Sequence, residues 1–204
     1  GQFVNIKCSD GIEALLRRPI SICGVDRIKG TFDIVFEVRG EGTRLLSQKD
    51  TRACVDFMGP LGNRFNISNK YKNIAVVGGG IGIFPLLFVL SESKASLKDS
   101  FIGFRSKNCI VVKDKFEGLC SCCSVSTDDG TYGYDGFVTE LFEKSLGETS
   151  YDMVYTCGPS PMMKKVIELC RAKGIKCQVS IEQRMGCGIG ACLVCACRIK
   201  SGDN

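Results

Sequence analysis

Three cysteines close to the end of the chain, Cys187, Cys192 and Cys195, are spaced C-x4-C-x2-C within MGCGIGACLVCAC (residues 185–197). That spacing matches the first three positions of a plant-type 2Fe–2S site, which needs four thiolates. A structural zinc site built from Cys187, Cys192, Cys195 and Cys197 is the competing chemistry, since four thiolates hold tetrahedral zinc well. The C-x4-C-x2-C-x-C spacing is an unusual one for zinc, so the cluster is the preferred reading. If Cys195 and Cys197 lie on an extended segment they face the same side, and reach alone leaves Cys197 open as the fourth ligand. Plant-type sites, however, complete the cluster from a separate stretch of chain. The tail RIKSGDN (198–204) reads as a strand entering a turn. The expectation is therefore a fourth ligand beyond Asn204, with Cys197 a bystander.

Two glycine turns carry a second chemistry. GGGIG (78–82) joins a strand-like run to a helix-like one, and TCGPSPMM (156–163) repeats the arrangement. Glycines at such a turn let backbone N–H groups approach a phosphate, and the helix dipole favours the anion. Tight strand–helix packing is the alternative reading of the same glycines. A third candidate is RRPISI (17–22) with GEGT (40–43). An arginine before a proline-stiffened strand can present a fixed guanidinium fork to a pyrophosphate, and Ser21 can hydrogen-bond a ring heteroatom. By residue type alone an ordinary strand with surface arginines is the commoner explanation.

Composition removes other chemistries. The 204 residues include no histidine and no tryptophan, which excludes histidine acid–base catalysis and histidine-ligated metals. The net charge of +5 is modest and spread along the chain, so nucleic acid is not an expected partner. Fourteen cysteines in a secreted chain would suggest a disulfide framework, but such frameworks belong to small, loop-rich proteins. Here the apolar runs are long and no signal peptide opens the chain, so a reducing cytoplasmic setting is expected, with most cysteines acting as small core residues. The uncharged stretch Ile74–Leu90 is too short for a membrane span and is interrupted by glycines and Pro85.

The elements that must position these groups follow from periodicity. Residues 2–58 alternate β-rich runs (QFVNIKC, PISICGV, TFDIVFEV, ACVDFMG) with turns at DRIKG, RGEGT and GPLGN, an antiparallel barrel or sandwich pattern. NISNKYKN (66–73) is the linker candidate. Beyond it, strands NIAVVG, SFIGF, CSVST, DMVYTC and KCQVSI alternate with helices PLLFVLSES, FVTELFEKSL and PMMKKVIELCRAKG. That alternation predicts a doubly wound parallel sheet. The expected division is a barrel over 1–70, an α/β domain over 71–180 and a cysteine module over 181–204.

Taken together, R-P-x-S, GGGIG, CGP-x-x-M and the tail E-x-x-M-x-C-G-x-G-x-C resemble the ferredoxin-reductase superfamily. Within it, LRRPISI, GPLGN, TDDGTYGYDGFVT (127–139) and EQRMGCGIGAC (182–192) are most similar to the iron–sulfur, electron-transfer subunits of two-subunit bacterial dihydroorotate dehydrogenases. The resemblance spans nearly the whole chain. It implies a β-barrel plus α/β fold: an antiparallel flavin-binding barrel, a doubly wound nucleotide domain and a small C-terminal iron–sulfur module. It also implies that leading barrel strands precede GQFVNIK.

The same resemblance implies site roles. Arg18, Pro19, Ile20 and Ser21 would hold FAD, with Gly42 and Thr43 at its pyrophosphate. Val35, Phe36 and Glu37 occupy the family's flavin-contacting stretch, although Glu37 stands where the family tends to have a basic residue. Gly78, Gly79, Gly80, Gly82, Cys157, Gly158 and Pro159 would receive NAD, and Cys187, Cys192 and Cys195 would ligate the 2Fe–2S cluster. Electrons would pass between NADH and a separate FMN-containing catalytic subunit, in a heterotetramer of two of each, during pyrimidine synthesis. Basic residues in FRSK (104–107) could instead accept a 2′-phosphate, but the resemblance favours NADH. The related alternative is the flavin subunit of an NADPH-dependent ferredoxin or sulfide oxidoreductase. Those relatives tend to carry aspartate where this chain has Cys187.

Overall fold

The computed structural model describes residues 1–197; the RIKSGDN tail and its expected strand lie outside the described residues. The chain divides into two compact units. Of the described residues, one comprises Gly1, 21–35 and 64–181, and the other 2–20, 36–63 and the stretch from Glu182 onward.

The larger unit is built on a six-stranded sheet. Its strands are β5 (Asn73–Gly79), β6 (Leu97–Phe104), β7 (Cys122–Thr127), β8 (Tyr134–Asp135), β9 (Met153–Cys157) and β10 (Lys176–Ser180). They lie in the order β10-β9-β5-β6-β7-β8, and every pair is parallel. The chain winds outward from β5 through β6, β7 and β8, then returns to the other side of β5 for β9 and β10. The winding therefore reverses at the β5–β9 pair.

Helices cover both faces: α2 (Phe84–Glu92) and α3 (Lys113–Glu117) on one, α4 (Val138–Ser145) and α5 (Ser160–Ala172) on the other. The period of two along β5 divides its side chains between them. Ile74 and Val76 pack into the cluster with Leu86, Leu90 and Phe116. Ala75 and Val77 pack with Val138, Phe142 and Val166. Burial on both faces is why this strand reads as an unbroken apolar run. Each large side chain so buried contributes about 1.5–3 kcal/mol over exposure. The helices match by their own period: Val138, Thr139 and Phe142 on α4, and Met163, Val166 and Cys170 on α5, are the buried positions.

The second sheet has four strands in the order β3-β2-β1-β4, namely β1 (Phe3–Ile6), β2 (Arg18–Asp26), β3 (Thr31–Ile34) and β4 (Phe57–Leu61). The β1–β4 and β2–β3 pairs are antiparallel. Three details differ from the sequence expectation. The TFDIVFEV run stays in strand only to Ile34, and the ACVDFMG strand starts at Phe57. RGEGT opens a helix, α1 (Glu41–Ser47), instead of making a turn. Thr43 is the reason: its Oγ1 accepts N–H bonds from Arg39 and Gly40 (3.0 and 3.2 Å) and donates to the Gly40 carbonyl (3.0 Å). One hydroxyl thus ties three groups at the helix start, and Leu46 buries its C-terminal half. Among the described residues no helix is long and apolar enough to cross a membrane.

Candidate functional site

In the α/β unit the expected nucleotide glycines meet at the reversal of winding. Gly78 on β5 is directly paired with Cys157 on β9, so both glycine turns open on the carboxyl edge of adjacent strands. Ligands of open α/β sheets bind at that switch point. Gly79 and Gly80 lead into a 3-10 turn (Gly80–Ile83), which runs directly into α2 with Pro85 in its first turn. The turn packs against the second one without room for a side chain. A Cβ on Gly82 would lie 2.6 Å from the Gly158 Cα and 2.7 Å from the Cys157 carbonyl oxygen. Both neighbours are backbone, so only glycine lets the two strand ends sit this close. Pro159 follows, packed near Gly79 together with Met162, and α5 begins at Ser160. The Cys157 side chain is 0% exposed and lies in the apolar cluster behind the edge. The crevice is therefore lined here by backbone and not by its thiol.

At the far end of β6, the FRSK stretch is tied down by its neighbour. The Lys107 N–H donates to Thr131 Oγ1 (2.8 Å), and that hydroxyl donates to Asp129 Oδ1 (2.6 Å). The Thr131 hydroxyl holds the Asp129 carboxyl below the usual carboxylate range. The rim of the crevice is thus not uniformly basic, a feature that FRSK alone does not reveal.

In the second unit the two arginines of LRRPISI do different work. Arg17 makes a two-pronged ion pair with Asp56 (3.0 and 2.7 Å) and also donates to the Asp56 carbonyl (3.2 Å). Its fork is used up in joining separate stretches of chain. Arg18 has no carboxylate partner among the described residues, and its Nη1 donates to the Leu16 carbonyl (2.5 Å). Its guanidinium lies over the first turn of α1, 2.8–3.0 Å from where a side chain on Gly42 would begin. Arg18 and Gly42–Thr43 are therefore brought together, and the first N–H groups of a helix have no partner within it. Pro19, Ile20 and Ser21 follow along β2, with Ile20 buried. Val35, Phe36 and Glu37 come after β3 ends, and the Glu37 carboxylate is occupied by Arg39 (2.7 Å).

The cysteine loop belongs to the same unit. Cys187 Sγ accepts N–H bonds from Ile189 and Cys192 (3.4 Å each), and Cys192 Sγ accepts one from Cys187 (3.4 Å). These backbone donors, that of Cys192 first, lower the Cys187 thiol to about 6. A thiolate held by main-chain amides is the donor a cluster iron requires, so the residues present fit that group. Cys195 stands one turn further on, and no set of three ligating side chains converges among the described residues. The loop is anchored by a residue the sequence reading passed over. Asn5 on β1 is buried, and its Nδ2 donates to the Cys187 carbonyl (3.2 Å). Gly188, at φ +75°, leaves room for that amide, because a Cβ there would lie 2.7 Å from Nδ2. A polar residue inside the apolar run FVNI was the available signal.

An antiparallel sheet together with a six-stranded parallel sheet is the fold this chain shares with ferredoxin reductases. The solved structure of an NADH-dependent reduced ferredoxin-NADP oxidoreductase, studied for flavin-based electron bifurcation, superposes with a TM-score of 0.81 at 31% identity over 96% of this chain and 70% of that one. Ferredoxin-NADP+ reductase from Plasmodium falciparum, with a TM-score of 0.63 and 16% identity over 88% of this chain and 82% of that one, shares the fold. Residues 182–204 match the family model for the iron–sulfur cluster binding domain of dihydroorotate dehydrogenase B. Similar curated proteins include the electron transfer subunits of dihydroorotate dehydrogenase B (NAD(+)) from Desulforamulus reducens and Caldanaerobacter subterraneus subsp. tengcongensis. They are 40% and 41% identical, each over 98% of this chain and 77% of the relative. The chain belongs to this family of dihydroorotate dehydrogenase B electron transfer subunits.

Proposed function

We infer that this chain carries electrons between NADH and the catalytic subunit of a dihydroorotate dehydrogenase, serving pyrimidine biosynthesis. The observation that carries the reading is the amide-held Cys187 thiolate, in a chain about 40% identical to those electron transfer subunits along nearly its whole length. When bound, FAD and a 2Fe–2S cluster would supply the conversion between two-electron hydride chemistry and the single-electron transfer that an FMN-containing partner needs.

The chain's own residues bind and orient. Arg18, without a carboxylate partner among the described residues and lying beside Gly42, would direct its fork at the FAD pyrophosphate together with the N–H groups of Gly42 and Thr43. Pro19, Ile20 and Ser21 line the flavin, with Val35, Phe36 and Glu37 alongside. The glycines 78–80 and 82 and the 157–159 turn admit NAD against backbone at the switch point. Cys187, Cys192 and Cys195 ligate iron, and the fourth thiolate comes from another stretch of chain than Cys197. The four-stranded antiparallel sheet is the flavin-binding barrel's, and the functional division is 1–70, 71–180 and 181–204. The setting is cytoplasmic.

Reconstitution tests the reading. Mixed with an FMN-containing dihydroorotate dehydrogenase catalytic subunit, the chain is expected to support NAD+ reduction by dihydroorotate and to form a complex of two copies of each. The second reading is a flavin subunit of an NADPH-linked ferredoxin oxidoreductase, favoured by the 31% identical neighbour. Ferredoxin reduction by NADPH, with no response to the catalytic subunit, would establish it instead.

A further inference from the structure

The α/β unit holds a pair of thiols far from the nucleotide edge. Helix α3 stops at Glu117, and the chain turns back through Gly118 with the Leu119 and Cys120 N–H groups both bonded to the Phe116 carbonyl (2.9 and 3.1 Å). Ser121 then joins the sheet edge, donating its N–H to the Lys98 carbonyl (2.6 Å) and accepting from the Lys98 N–H through Oγ (3.1 Å). Strand β7 starts at the next residue, so Cys120 is fixed at the amino end of the sheet. Cys123 pairs in register with Ser100 on β6. The Ser100 hydroxyl, fully buried, lies 3.3 Å from Cys120 Sγ and 3.5 Å from the Cys122 carbonyl. Cys120 and Cys123 thus flank the same hydroxyl, one in side-chain contact with it and the other its cross-strand partner. Both are half-buried, and Gly118, Ser121 and Cys122 beside them are exposed.

We propose that Cys120 and Cys123 form a redox-active C-x-x-C dithiol that exchanges with low-molecular-weight disulfides. Cys120 is the attacking sulfur. Hydrogen bonds from Cys123 and Ser100 lower its thiol to about 7 against the opposing effects of burial, of Asp99 on β6 and of Glu117 on α3. The same contact and burial, with Glu117 adding to them, raise Cys123. The Cys120 thiolate displaces one thiolate from the external disulfide and forms a mixed disulfide. Cys123 then loses its proton and attacks Cys120, expelling the second thiolate. The external disulfide takes up two electrons and, with the two thiol protons, leaves as two thiols, while the chain gains one S–S bond. Their common neighbour Ser100 sets the two cysteines side by side at the β6–β7 pair, the closeness a disulfide requires. Cys170 and Cys177 are a second cysteine pair, packed in one apolar cluster. Cys170, however, is 1% exposed beneath α5 and closed to an external disulfide.

The test uses the full chain with its cofactors, equilibrated anaerobically in glutathione buffers of increasing oxidised fraction, alkylated and mapped by mass spectrometry. The expected result is a Cys120–Cys123 disulfide, two hydrogens lighter and protected from alkylation, at a lower oxidised fraction than any other pair. Cys123→Ser should trap one glutathione on Cys120. Phenylarsine oxide, which bridges paired thiols, should add once to the native chain and to Cys170→Ser but not to Cys120→Ser. Glutathione accumulating on Cys122 or Cys109 while Cys120 and Cys123 stay alkylated would overturn the proposal. So would arsenic binding that survives Cys120→Ser.

Discussion

Asn5 donates its side-chain amide to the main-chain carbonyl of Cys187 at 3.2 Å, linking residues 182 positions apart. The amide is buried, and its Oδ1 has no hydrogen-bond partner among the described residues. A buried polar group is retained at some cost unless its bond matters to the structure. Here that bond holds the loop whose thiols we propose as iron ligands. Asn5→Ala is expected to lower stability by about 1–3 kcal/mol, the usual range for losing a buried partner. It should also reduce iron and acid-labile sulfide per chain. Chemical denaturation and iron analysis check this; an unchanged midpoint with full iron content would show the bond to be incidental.

The cysteines should separate by iron content. Cys187→Ser, Cys192→Ser or Cys195→Ser is expected to strip most iron and sulfide and the visible absorption of the cluster. Cys197→Ser should leave all three intact. Loss of the cluster in Cys197→Ser would make that residue the fourth ligand and refute its assignment as a bystander.

Adjacent arginines should have different phenotypes. Arg18→Ala removes charge-assisted contacts worth about 1.5–3 kcal/mol, so FAD affinity should fall roughly tenfold or more. Arg17→Ala breaks the Asp56 pair and should lower thermal stability with a smaller effect on flavin. The flavin released on denaturation should be FAD and not FMN. Equal FAD occupancy in native and Arg18→Ala protein would rule out the phosphate role.

At the switch point, Gly82→Ala places a Cβ 2.6–2.7 Å from backbone atoms of Cys157 and Gly158. Neither can move without parting β5 from β9. The KM for NADH is expected to rise by about tenfold or more while FAD content holds, since a displacement near 1 Å disrupts productive positioning. Stopped-flow flavin reduction should also be faster with NADH than with NADPH. A preference for NADPH would revive the ferredoxin-linked reading.

The Cys187 thiol gives a pH signature in cluster-free protein. Its folded value, about 6, lies below the ordinary thiol value of 9.0, so folding favours the thiolate. The associated stabilisation is complete above the ordinary value and is lost as pH falls through about 6. Alkylation of Cys187 should therefore be half-maximal near pH 6 and level off above pH 7 or so, where ordinary thiols are still slow. A half-maximal rate near the ordinary thiol range would mean the amide bonds are not made in solution.

The cysteine spacing, the glycine turns and the strand–helix alternation were legible in the sequence because each is a local pattern. A thiolate loop needs close spacing, a phosphate turn needs glycine, and a strand buried on both faces must be apolar throughout. The helix at 41–47 was missed because a single threonine hydroxyl starts it, with only two leucines to suggest a period. Other features exist only once the chain is folded. Strand order brings Gly78 against Cys157 and turns the Cys157 thiol into the core. Asp56 engages Arg17 and not Arg18, a choice that two neighbouring arginines cannot express by themselves. Asn5 finds its role only when β1 comes to lie beside a loop from the other end of the chain. Register and long-range packing are set by the fit of whole surfaces, and no window of sequence contains both partners of such a contact.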